Sequence, residues 1–156
     1  MKKEHIFITL LLIVAISING FSQNVNVKGR WSVNSSIRDF YAGEDISPVI
    51  QSEDDQITLS VNGNVNKSTW KIAISKSDIV WDNTLEIWVR RTDTGNGSGE
   101  VWGGTTFQKV GDINMTFFEG KRSVNKIPIQ LELRGMTVTI PAMAYSTNIV
   151  YTLYEY

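Results

Sequence analysis

Cysteine is absent from the chain, and histidine occurs once, as His5. The first absence removes thiolate nucleophiles, thiol redox chemistry and disulfide bonds. Together the two absences remove the side chains from which most zinc sites are made and the usual general base of nucleophilic triads. An excess of basic residues is lacking as well. Lysine and arginine total 15 against 16 acidic residues, with no basic stripe, which argues against a nucleic-acid partner. The pairs Arg90-Arg91 and Lys121-Arg122 read as solvated strand ends or turns. Carboxylate chemistry, calcium binding or no chemistry at all remain.

Long apolar runs are also missing, with one exception near the start. Lys2 and Lys3 precede Ile6 to Ile18, an apolar stretch interrupted only by Thr9 and Ser17, and Gly20 and Ser22 supply small residues ahead of Gln23. A charged start, an apolar middle and a small-residue exit make a secretory leader. The stretch falls short of the roughly 20 residues that cross a bilayer. Residues 1–22 are therefore expected to be a cleaved signal peptide, and 23–156 a single exported domain, secreted, periplasmic or at the cell surface. No stable membrane insertion is expected after cleavage, and His5 leaves with the leader. A cysteine-free chain bound for an oxidising compartment fits bacterial export. Its core alone must stabilise it, which a domain of this size can do.

What the chain has in quantity is alternation. Val25, Val27, Trp31 and Val33 fall on one parity, with Gly29 completing the series. Ile57, Leu59 and Val61 repeat it, as do Trp70, Ile72 and Ile74, then Leu85, Ile87 and Val89. Met115 and Phe117 make a shorter run. Ile127, Ile129, Leu131 and Leu133 follow, then Met136, Val138 and Ile140, and finally Ile149, Tyr151 and Leu153. Period-two alternation with a polar partner face is the pattern of half-buried strands. Glycine- and asparagine-rich turns bound the runs, and Leu133-Arg134-Gly135-Met136 reads as a tight hairpin. Asp39 to Asp54 is the least regular segment. The expected fold is all-β, an immunoglobulin-like or pilin-like β-sandwich of about eight strands.

Five tryptophans are the main candidates for recognition chemistry. Trp31 and Trp70 share the parity of their strands' apolar residues and read as core. Trp88 has the opposite parity from Leu85, Ile87 and Val89, while Trp81 and Trp102 lie in or beside loops. Trp81, Trp88 and Trp102 are thus the candidate ligand-binding residues, a stacking platform for glycans with Tyr154 or Tyr156. The alternative is that they cover the second sheet face or a loop-side minicore. Asp93 to Glu100 has oxygen ligands and glycines but not the acidic spacing of a calcium loop. The carboxylates Glu44-Asp45, Glu53-Asp54-Asp55 and Asp78/Asp82 read as ordinary turn acids. No catalytic residue, metal ligand or cofactor is implied, and a non-enzymatic function is expected. The N-terminal strand, with Val25, Val27, Trp31 and Val33 on one face, either opens its own sheet or adds to the edge of a neighbour.

Three stretches carry a resemblance: WKIAISKSDIVWDNTLEIWVRRTD from Trp70 to Asp93, the turn Gly103-Gly104-Thr105-Thr106-Phe107, and Ile140-Pro141 followed by Tyr145-Ser146-Thr147 and Tyr151-Thr152. They resemble secreted bacterial β-sandwich proteins of the coat-protein-U and pilin-like type. That resemblance implies a structural or adhesive subunit of an extracellular coat or fibre, with self-assembly or other surface proteins as partners. The chain departs from it in having no cysteine pair and in placing Glu155 between Tyr154 and Tyr156.

Overall fold

The computed structural model describes residues 24–33, 49–62, 69–137, 139–141 and 143–155. Among them are eleven strands and no helix: β1 (Asn24–Lys28), β2 (Ile50–Gln51), β3 (Ile57–Asn62), β4 (Thr69–Val80), β5 (Glu86–Arg91), β6 (Asn96–Gly97), β7 (Glu100–Trp102), β8 (Gln108–Lys109), β9 (Met115–Lys121), β10 (Val124–Arg134) and β11 (Ser146–Glu155). They form a seven-stranded sheet in the order β1-β3-β10-β5-β8, with β2 and β6 also on β10, and a four-stranded sheet in the order β11-β4-β9-β7. The two antiparallel sheets pack as a β-sandwich, the expected fold class.

β10 is the spine of the larger sheet. Its residues 127–129 pair with β3 on one side, and its residues 129–134 pair with β5 on the other. β2 continues the β3 side at Glu132 and Leu133, and β6 continues the β5 side at Val124 and Asn125. The register shifts between Val124 and Ile127. There Lys126 takes a positive φ of 53°, and its N–H donates to Ser60 Oγ at 3.0 Å.

Alternation sorts the side chains as the period requires. Leu59, Val61, Ile87, Val89, Ile127, Ile129 and Leu131 line the inner face of the larger sheet, and Trp70, Ile72 and Ile74 that of the smaller. β9 breaks the rule. Ile72 pairs with Phe118 and Ala73 with Thr116, so Phe117 is the extra residue of a bulge, and both phenylalanines are buried with their rings edge-on at 4.9 Å.

Three expectations need correction. The strand drawn over residues 23–33 stops at Lys28, because Gly29 turns at φ +115° with Gln56 O where a Cβ would stand. Val25 and Val27 face Val61 and Leu59 across β3, while Trp31 and Val33 lie beyond the strand, half-buried against the core. Residues 135–137 and 139–141 form no strand, although Gly135 has the positive φ a tight turn needs. The backbone there abuts Thr84 O, and the chain leaves for β11 in the other sheet. Arg91 is not solvated: it is 5% exposed and continues the inward parity of Leu85, Ile87 and Val89. Gln23, Glu44-Asp45, Val138, Tyr156 and most of Asp39 to Asp54 lie outside the described residues.

Candidate functional site

The outward face of the four-stranded sheet carries a row of side chains drawn from all four strands. Trp102 of β7 pairs with Glu119 of β9, Glu119 with Lys71 of β4, and Lys71 with Tyr154 of β11. Three strand spacings separate the two aromatic positions, about 14 Å. Trp102 is 41% exposed and Tyr154 40%, so each ring offers surface to solvent while part of it rests on the sheet.

Neighbours hold both rings. Trp102 Nε1 donates to Glu119 Oε2 at 3.0 Å. The Lys71 ammonium sits over the Tyr154 ring, 5.2 Å from its centroid, and Asn114 Nδ2 donates a long hydrogen bond to the Tyr154 hydroxyl at 3.4 Å. The adjoining rows are small and neutral. Ala73 lies between Thr152 and Thr116, and Ser75 lies beside Val150. The next row the other way carries the ion pair of Lys121 with Glu100 at 3.2 Å. The face therefore balances its acids and bases.

Trp102 is set in place from behind. Gly103 and Gly104 follow it with φ of +81° and +68°, a left-handed pair open to glycine without strain. Gly104 is buried, and a Cβ there would stand 3.1 Å from Phe117 O. Arg91 reaches this turn from the other sheet: Nε and Nη2 donate to Gly103 O at 3.0 and 2.9 Å, and Nη1 donates to Asp93 O at 2.8 Å. Burial lowers the Arg91 pKa, opposed in part by the Asp93 carboxylate, and the guanidinium stays charged. Arg91 N–H also donates to Gly104 O at 2.6 Å. Sequence reasoning missed this residue, although its odd number, in step with 85, 87 and 89, was the signal.

The three sequence-derived tryptophans do not share a surface. Trp81 is half-buried at the turn after β4, its Nε1 donating to Leu85 O at 2.9 Å. Asp82 Oδ1 fixes the same turn by accepting from Thr84 N at 2.9 Å. Trp88 lies on the outward face of the seven-stranded sheet, the opposite side of the sandwich from Trp102. The Arg134 guanidinium stacks over its ring at 4.0 Å, and its Nε1 donates to Glu86 Oε2 at 3.0 Å. Beside it Glu132, only 2% exposed, accepts from Gln51 Nε2 at 2.6 Å and from Arg134 Nε. This face is a closed polar network, whereas the Trp102 face is open.

Glu86 makes that network sensitive to acid. Hydrogen bonds from Lys109 Nζ, at 2.5 Å, and from Trp88 Nε1 outweigh its desolvation and hold its pKa below the ordinary 4.5. A carboxyl whose folded pKa is depressed adds stability that is complete above the unfolded value and lost as pH falls through the folded one. Urea unfolding between pH 7 and pH 3 should therefore show a smaller acid loss in Glu86→Gln than in the parent. The difference should stay below about 1 kcal/mol because the pair is partly exposed. Equal acid slopes would remove Glu86 from the account.

Among the described residues, no group of three or more acidic side chains is placed to hold a metal ion. Asp93 instead accepts from Thr94 N at 2.6 Å, and Asn96–Gly97 pair with β10 as β6. Comparison with known families, characterised proteins and solved structures found no match to this chain.

Proposed function

We propose that the chain is a non-enzymatic adhesive protein of the cell exterior that recognises a neutral glycan on the outward face of its four-stranded sheet. The observation that carries this reading is the Trp102–Glu119–Lys71–Tyr154 row, with two half-exposed aromatic rings held about three strand spacings apart. Aromatic faces stack on the apolar faces of sugar rings, and polar groups between them exchange hydrogen bonds with hydroxyls. One acid and one base lie between the rings, which suits an uncharged ligand better than an anionic one. The leader-like N-terminus supports an external location, and the coat- and pilin-like resemblance supports an adhesive rather than a catalytic role.

The test is a panel of neutral and acidic oligosaccharides, read by tryptophan fluorescence and by retardation in polysaccharide-containing gels. Trp102→Ala should weaken binding about fivefold to tenfold, the scale of one aromatic contact near 1 kcal/mol. Its urea midpoint should be close to that of the parent, because the ring lies on the outer face of the sheet and outside the core. Trp88→Ala should leave binding intact. No binding to any neutral glycan, or loss on Trp88→Ala alone, would overturn the reading.

A further inference from the structure

Sheet edges are where a sandwich exposes unpaired backbone groups, and proteins normally blunt them with short strands, lysine, proline or bulges. Among the described residues, every outer strand but one is short or blunted. β8 has two residues and β7 three, while β1 has five, carries Lys28 and ends at the Gly29 bend. β11 is different. It runs for ten residues, Ser146 to Glu155, and its sequence STNIVYTLYE contains no lysine, arginine, proline or glycine. Its single charge is the terminal Glu155.

One side of β11 pairs with β4 from Ser146 to Glu155, and after a shift at Thr147 the register is unbroken. Among the described residues no strand pairs with its other side, although β1 of the larger sheet comes close to β11 without pairing. Val150, at the middle of the strand, is 42% exposed. An extended edge of this kind, charged only at its end and rich in β-branched residues, is a template for another strand.

We propose that β11 pairs antiparallel with β11 of a second copy, joining two four-stranded sheets into one continuous eight-stranded sheet across a two-fold axis. A two-fold contact is self-complementary, so one patch is enough. The register is restricted by the pleat. Inward residues must meet inward residues, so the axis must pass through a residue and not between two. Centring on Tyr151 would oppose two bulky inward tyrosines. Centring on Val150 sets two exposed β-branched side chains against each other, a favourable cross-strand pair. It also places Ile149 opposite Tyr151 on the core side and Tyr154 opposite Ser146 on the outer side. The joined sheet then presents two Trp102–Tyr154 rows on one face. The proposal stands on the strand edge and does not depend on the glycan reading.

Sedimentation velocity of protein recovered from the expressing cell should show a monomer–dimer equilibrium that moves toward dimer with concentration. Val150→Lys should weaken dimerisation at least about tenfold, since it sets two like charges against each other at the axis. Its circular dichroism should match the parent because the side chain points away from the core. The natural absence of cysteine allows a second measurement that does not rely on disruption. Val150→Cys should form a disulfide-linked dimer under mild oxidation, whereas Ser77→Cys on β4 should remain monomeric. A parent that stays monomeric at all concentrations overturns the proposal. So does a folded Val150→Lys that dimerises like the parent, or equal cross-linking of the two cysteine variants.

Discussion

Trp70→Ala should cost about 3–5 kcal/mol of stability, a large share of the 5–15 kcal/mol typical of a whole domain. Trp70 is fully buried on β4, its ring edge-on to Phe118 with centroids 6.2 Å apart. It fills space that Gly120 leaves open on β9, where a Cβ would come within 2.4 Å of the indole. Its Nε1 also donates to Arg122 O at 2.7 Å. That bond pins the turn between β9 and β10, where Arg122 takes a left-handed φ of 60°. Removing the ring therefore opens a cavity and releases a strained turn. Trp70→Phe keeps most of the packing but not the hydrogen bond, and should cost about 1–2 kcal/mol from that bond alone. Urea unfolding followed by circular dichroism separates the three proteins. An alanine variant within about 1 kcal/mol of the parent would contradict this account of the core.

Arg91→Met should have the next largest effect and should be felt in two places. The substitution keeps a long apolar stem but leaves Gly103 O and Asp93 O without their buried donor. Hydrogen bonds from a charged donor contribute about 1.5–3 kcal/mol, and because Gly103 and Asp93 are exposed, water replaces part of them, so a loss of about 2 kcal/mol is expected. Because Gly103 follows Trp102, the turn behind the candidate site should loosen as well. Amide hydrogen exchange should rise across residues 103–107 while the β10 amides remain protected. Arg91→Lys retains charge without the planar fork that gives two bonds to Gly103 O, so it should recover only part of the loss. If exchange rose equally throughout the larger sheet, Arg91 would be a general core residue and not a support for Trp102.

Much of the fold could be read from parity. Ile127, Ile129, Leu131 and Leu133 mark β10 because one face of that strand is buried against the second sheet. The inward parity of Trp70 and the outward parity of Trp88 followed from the same period. Parity fails where the backbone departs from a regular pleat. Two adjacent phenylalanines are buried at the β9 bulge, which no alternating template allows. Met136 and Ile140 keep the period without making a strand, because close contact of Gly135 with Thr84 O turns the chain away.

The candidate site was harder to read, for a different reason. Trp102 and Tyr154 are 52 positions apart and meet in one row only through three successive strand registers. A period within one strand carries no information about which strand lies beside it. Trp88 met the outward criterion, but its ring is capped by Arg134, whose stacking depends on the pairing of β10 with β5.

The central place of β10 has a consequence for how the polypeptide acquires its shape. Four strands that precede it, from Ile50 to Gly97, depend on a partner that begins only at Val124. No early hairpin can complete the larger sheet, so its closure waits on contacts between distant parts of the chain. Such topologies fold slowly, on the order of milliseconds to seconds. A nascent polypeptide therefore carries these strands unpaired until the segment from Val124 to Arg134 has been made.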